Sequence, residues 1–145
     1  MRIAVGSDHA GFELKEQVKK ILQKFGYEII DFGTDGKYPV DYPDYGLKVA
    51  RTVASGEAEK GVAVCWTGGG MSITANKVKG VRAGLCLNQE MAYYSRLHND
   101  TNVLALSQKY VAPKNVEEIL KTWLETEFEG GRHARRLDKI TEAEN

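Results

Sequence analysis

Cysteine is nearly missing from this chain, which has only Cys65 and Cys86 in 145 residues. Two such thiols make neither a disulfide framework nor a zinc-binding spacing, so a reduced, cytoplasmic setting is expected. Proline is almost as scarce: there are three, and two fall in the stretch "DGKYPVDYP". Net charge is absent, because 20 basic and 20 acidic side chains cancel, and nothing points to a nucleic acid or a membrane surface as partner. No apolar run is long enough to span a bilayer, and "MRIAVGSD" enters a strand-like run without the basic leader of a secretory signal. Internal repeats and low-complexity tracts are also missing. The length fits one domain over residues 1–145 with a substantial core.

What is present is an alternation of short apolar runs with helical patterns, which predicts parallel βαβ units. "RIAVGS", "YEIIDFG", "GVAVCW", "GVRAGLCL" and "NVLALS" read as five strands. Between them, Phe12, Leu14, Val18, Ile21, Leu22 and Phe25 recur at helical spacing, and Gly26 suits the position just past a helix end. Further helices are expected from about Tyr45 to Ser55, from about Met71, over "QEMAYYSRLH", and over "PKNVEEILKTWLETEF" with Pro113 in its first turn. The fold class expected is α/β, a three-layer αβα sandwich around a five-stranded parallel sheet, flavodoxin-like or Rossmann-like. Residues 130–145 form a charged tail whose apolar residues after the glycines are Leu137 and Ile140. Too polar to fold alone, it is expected to dock on its own domain or on a partner subunit.

Ligands of open parallel sheets bind beyond the carboxyl ends of the strands. Three polar clusters are expected there: "SDHAG", "CWTGGGMS" and "LHNDTN". Gly68, Gly69 and Gly70 can take positive φ and carry no Cβ, so successive amides and a helix N-terminus can face an anion. The same glycines also serve a plain strand-to-helix turn. Cys65 beside them favours the anion site, since such amides favour a thiolate; the alternative is a core thiol, which is the reading adopted for Cys86. With a flavodoxin-like strand order, Asp8 and His9 are expected beside His98 and Asn99, around the one thiol. Arg132 and Arg136 are four apart and share a face if the tail is helical, a spacing suited to gripping a phosphate.

Two familiar phosphate motifs fail. "GSDHAGFE" has glycines at Walker A spacing, but Phe12 and Glu13 stand where Lys and Ser or Thr are required. "CWTGGGMS" has the spacing of a cysteine phosphatase loop, but Met71 occupies the place of its essential arginine.

Taken in order, "GSDHAG", "DYP", "CWTGGGMSITANK", "HNDTNVL" and "EGGRHARR" resemble the ribose-5-phosphate isomerase B family, which includes galactose-6-phosphate and allose-6-phosphate isomerase branches. The resemblance covers nearly the whole chain. It implies aldose–ketose isomerisation of a phosphorylated sugar, ribose 5-phosphate to ribulose 5-phosphate, in the pentose phosphate pathway and without metal or other cofactor. It further implies a homodimer or homotetramer with the active site between subunits, so that the His98 segment serves a neighbour's Cys65. Cys65 resembles the base that moves the proton between C2 and C1, with Thr67 beside it. The turn of Gly68, Gly69, Gly70, Met71 and Ser72 resembles the cradle of the enediolate oxygen. His98 resembles the ring-opening residue, assisted by Asp8 and Asn99. His9, Arg132 and Arg136 resemble phosphate ligands, and Tyr42 lines the pocket. Three positions depart from the family pattern. Trp66 replaces a small residue and is expected to narrow or cover the pocket; Gly69 adds flexibility; Lys109 stands where relatives often carry a phosphate-binding arginine. A non-catalytic flavin- or nucleotide-binding module remains the competing reading of the same fold.

Overall fold

The computed structural model describes residues 1–144. Five strands, β1 (Arg2–Ser7), β2 (Glu28–Asp31), β3 (Lys60–Cys65), β4 (Ala83–Leu85) and β5 (Val103–Ser107), pair in parallel in the order β2-β1-β3-β5-β4. The helices are α1 (Phe12–Lys24), α2 (Tyr42–Ala54), α3 (Gly69–Asn76), α4 (Gln89–Asn99), α5 (Val116–Glu125) and α6 (Arg132–Glu142). Short 3₁₀ turns at His9–Gly11 and Pro113–Asn115 lead into α1 and α5. No helix among the described residues is long and apolar enough to cross a membrane.

The strands read as continuous apolar runs because both faces of the sheet are covered. Val62 and Val64 of β3 join Val5, Leu104 and Leu106 in a core with α1, α4 and α5, where Trp123 is fully buried. Ala63 and Cys65 point the other way, into a smaller-residue core with Val49, Met71 and Ala75 of α2 and α3. Small side chains on that face let the helices approach closely: a Cβ on Gly46 would lie 2.7 Å from the Met71 sulfur, and one on Gly61 would lie 2.6 Å from Val49.

The α/β sandwich agrees with the expected fold class, and the element boundaries differ in ways that have physical reasons. Helix α2 starts at Tyr42, before the expected Tyr45, because Pro43 sits in its first turn, where a missing N–H costs nothing. Helix α3 starts at Gly69, before the expected Met71, with Gly68 left-handed at φ 83° as the preceding residue. Strand β2 is shorter than "YEIIDFG", yet pairing continues irregularly as Phe32 N–H donates to Val5 O and Ser7 N–H to Gly33 O. Strand β4 ends at Leu85, so Cys86 follows the strand instead of lying inside it. The tail forms α6, which packs on α4 through the buried His133 and Leu137; Asn145, its last residue, lies outside the described residues.

Candidate functional site

Cys65 ends β3 and is 5% exposed. Its side chain lies on the sheet face covered by α3, so the thiol sits on the same side as the first turn of that helix. The chain then turns through Trp66, Thr67 and Gly68. Thr67 Oγ1 accepts from the Gly69 amide at 3.3 Å, and Ser72 N–H donates to Gly68 O at 3.0 Å as the first regular helical bond. No side chain caps α3 at Gly68. The Gly70 and Met71 amides therefore lack intrahelical acceptors and face outward as donors for an oxyanion. Gly68 is required here twice over: φ is positive, and a Cβ would lie 2.5 Å from Leu85 Cδ1. Cys86 is a different thiol. Burial pushes it up to about 11, so it stays protonated at neutral pH.

Other expected residues collect at the same carboxyl edge. Asp8 is buried after β1, where its Oδ1 accepts from the Gly11 amide at 3.0 Å and caps the 3₁₀ turn. The His9 Nδ1 accepts from Val40 N–H at 3.1 Å, which leaves Nε2 as the ring's donor. Tyr42, at the start of α2, lays its ring against the glycine turn: a Cβ on Gly70 would stand 2.6 Å from its Cε1 and Cζ. Lys109 follows β5, and the backbone there is tied to the cysteine segment, with Gln108 N–H donating to Cys65 O at 3.1 Å and Lys109 N–H to Trp66 O at 2.9 Å.

His98 and Asn99 do not join them, and the expectation that they lie beside Asp8 and His9 within one chain is corrected. They end α4, ahead of β5. In a parallel sheet a segment that enters a strand lies at its amino end, and the sheet order places β5 between β3 and β4 in the order 2-1-3-5-4. A strand of this length spans about 20 Å, so Cys65 and His98 of one chain sit at opposite edges. Around His98 the amino edge has its own cluster. The His133 ring stacks on it at 4.3 Å between centroids and 14° between planes, and the Tyr94 ring is tilted against it at 5.0 Å. Glu129 Oε2 lies 3.9 Å from His98 Nε2 and 3.5 Å from His133 Nε2. Arg132 and Arg136, both exposed, flank His133 on the first turns of α6. Burial, with His98 and then Arg132 adding repulsion, holds His133 below the ordinary histidine value. His133 and Glu129 were not singled out by sequence reasoning; the available signal was the i, i+4 pairing of His133 with the apolar Leu137, which marks the inward face of the tail helix. Asn99 lines a cleft of about 480 Å³ that runs past Leu85, Tyr94, Leu137 and Ile140.

Trp66 is a second correction. Side chains alternate along β3, so a residue after Cys65 points to the opposite face. The half-exposed indole borders a hollow with Leu14, Gln17, Gln108 and Pro113, on the α1 side of the sheet. It does not cover the crevice over Cys65.

The model of the family described as Ribose/Galactose Isomerase matches residues 3–140. The chain is 45% identical over 143 residues to the ribose-5-phosphate isomerase B of Escherichia coli, spanning 99% of this chain and 96% of that protein. It is 37% identical over 142 residues to a D-erythrulose-4-phosphate isomerase of Pectobacterium atrosepticum, spanning 97% and 93%. Among solved structures, the ribose-5-phosphate isomerase B of Clostridium thermocellum superposes with a TM-score of 0.98 at 54% identity, covering 99% of this chain and 97% of that one.

Proposed function

The chain belongs to the Ribose/Galactose Isomerase family, and from that premise we propose that it interconverts D-ribose 5-phosphate and D-ribulose 5-phosphate, with Cys65 as the base. The observation that carries this reading is the thiol at the end of β3, on the face covered by the uncapped first turn of α3. The Cys65 thiolate takes the proton from C2 of the open aldose. Negative charge then builds on the carbonyl oxygen, where the Gly70 and Met71 amides contribute about 3 kcal/mol of stabilisation. The same thiol returns its proton to C1, and transfer of the hydroxyl proton from O2 to O1 completes the ketose. Thr67 stands beside the base, with its Oγ1 engaged by Gly69. His9 and Lys109 hold the phosphate from the carboxyl edge.

Ring opening needs His98, with Asp8 and Asn99, at the same sugar. The opposite-edge placement is met by a second copy of the chain, which brings its amino edge, with His98, Arg132 and Arg136, over the first copy's Cys65. The exposed apolar side chains Ile73 of α3, Met91 and Tyr94 of α4 and Ile140 of α6 support such a homodimer, or a tetramer built from it. The enzyme acts in the cytoplasm on a free sugar phosphate.

The test is the ratio of kcat/KM values for ribose 5-phosphate, D-erythrulose 4-phosphate and allose 6-phosphate, measured with EDTA present. The reading expects ribose 5-phosphate to lead by at least tenfold. A second reading, another sugar phosphate of this family, is favoured by the Pectobacterium relative and prevails if either competitor leads. Gly70→Ala probes the pocket wall. Alanine is preferred to glycine inside a helix, and the Tyr42 ring that the new methyl group meets is partly exposed and can swing aside. The melting temperature is expected to hold, while KM rises about tenfold, a change of ~1.4 kcal/mol.

A further inference from the structure

His98, Glu129 and His133 bring two imidazoles and a carboxylate together at the amino edge, with one donor atom from each lying within 4.8 Å of the others. Among the described residues this is the one such group of histidine, cysteine and acidic side chains. His133 is nine-tenths buried, and its Nε2 has no hydrogen-bond partner. That atom faces Glu129 Oε2 at 3.5 Å. An unpartnered buried nitrogen 3.5 Å from a carboxylate, with a second imidazole stacked beside it, is accounted for by a ligand that accepts lone pairs from all three.

We propose that these three side chains form an inhibitory site for a first-row divalent ion of the Zn²⁺ type. Two imidazoles with one carboxylate is the donor set of open zinc sites, and nitrogen donors select against Mg²⁺ and Ca²⁺. Bonds of about 2.0–2.1 Å put tetrahedral donors about 3.4 Å apart. The His133–Glu129 pair already meets that spacing. His98 Nε2 lies 3.9 Å from the carboxylate, and the donor atoms of the group span up to 4.8 Å, so His98 must close in on both Glu129 and His133. Because the lone pairs of two near-parallel rings do not converge, His98 must leave the stack as the ion binds; His98 and Glu129 are exposed enough to move against the fixed His133. The fourth position stays open to water. Arg132 and Arg136 oppose the ion's charge and Glu129 alone offsets it, so the binding is reversible and of moderate strength. The consequence for turnover rests on the isomerase reading: a His98 whose lone pair is held by a metal no longer exchanges protons with the sugar ring.

Cobalt(II) is the probe, added to the full chain under non-chelating conditions. The expected result is one Co²⁺ per chain, with the visible bands of a tetrahedral ion that Zn²⁺ displaces. Glu129→Gln, a change at a partly exposed side chain, should abolish the bands without lowering the melting temperature. Cys65→Ala should retain them and show that the thiol is not the ligand. In parallel, Zn²⁺ should inhibit isomerisation by the unaltered enzyme, EDTA should restore it, and Glu129→Gln should need at least tenfold more Zn²⁺ for the same inhibition. Absence of cobalt bands, their survival in Glu129→Gln, or their loss in Cys65→Ala each overturns the site even if turnover is normal. Bands in a protein that turns over no sugar phosphate in EDTA overturn the isomerase reading instead, and the inhibitory role with it.

Discussion

Cys65→Ala is expected to lose isomerase turnover by about 10²–10⁴-fold, the contribution of a positioned proton-transfer group, while remaining folded. The two halves of that outcome come from different features. The thiol is packed among the small residues of the α2/α3 core, near Ala63, Ala75 and Ala105. Removing one sulfur there creates a void of one atom, with a cost of about 1 kcal/mol. The sheet pairing is untouched, because Cys65 O still accepts from Gln108 N–H. The loss therefore falls on kcat and leaves the melting temperature within a few degrees of its original value. Cys86→Ala is the matched control: that thiol is also buried and is held protonated, so turnover should be unchanged. A folded Cys65→Ala protein with full activity would remove cysteine from the chemistry and require another base at the end of β3.

Hybrid dimers carry the second large effect. On the proposed reading, a homodimer of Cys65→Ala would have two sites without a base, and a homodimer of His98→Asn two sites without the ring-opening imidazole. If each site draws its thiol from one chain and its imidazole from the other, a dimer with one chain of each kind contains one site with both lesions and one intact site. Such a hybrid, co-expressed with two different tags and purified through both, is expected to regain about half of the unaltered dimer's activity, since one of its two symmetry-related sites is whole. Both parent homodimers should be nearly inactive in the same assay. A hybrid no more active than its parents would place Cys65 and His98 in one chain's site, against the separation imposed by the sheet.

That separation is legible in the sequence. Once the strands are taken as parallel, every segment that follows a strand lies at one edge and every segment that precedes one lies at the other. "SDHAG" and "CWTGGGMS" follow β1 and β3, whereas "LHNDTN" precedes β5. The same holds for Trp66, whose side is fixed by alternation from Val62 onward. The apolar runs of β1, β3 and β5 and the periodicity of α1 with its left-handed Gly26 could be read directly, because burial on both faces and a 3.6-residue repeat are local signals. The onset of α2 was hidden by Pro43, which breaks a helix in its interior and suits one at its start; composition does not tell which. The cluster at the amino edge was least legible. It joins the end of α4, the Glu129 turn and α6 through tertiary packing, and in the string its buried histidine looks like one more polar residue of a charged tail.

The outward turn of Trp66 has a practical side. The chain's two indoles lie in opposite environments, one fully buried in the core of α1, α4 and α5 and one half in water on the far side of β3 from Cys65. Their ultraviolet emission therefore separates into a blue component from Trp123, which follows global unfolding, and a red, quencher-accessible component from Trp66, which follows local change at the end of the central strand. The molecule supplies its own pair of optical gauges, and neither lies on the face of the sheet that holds Cys65.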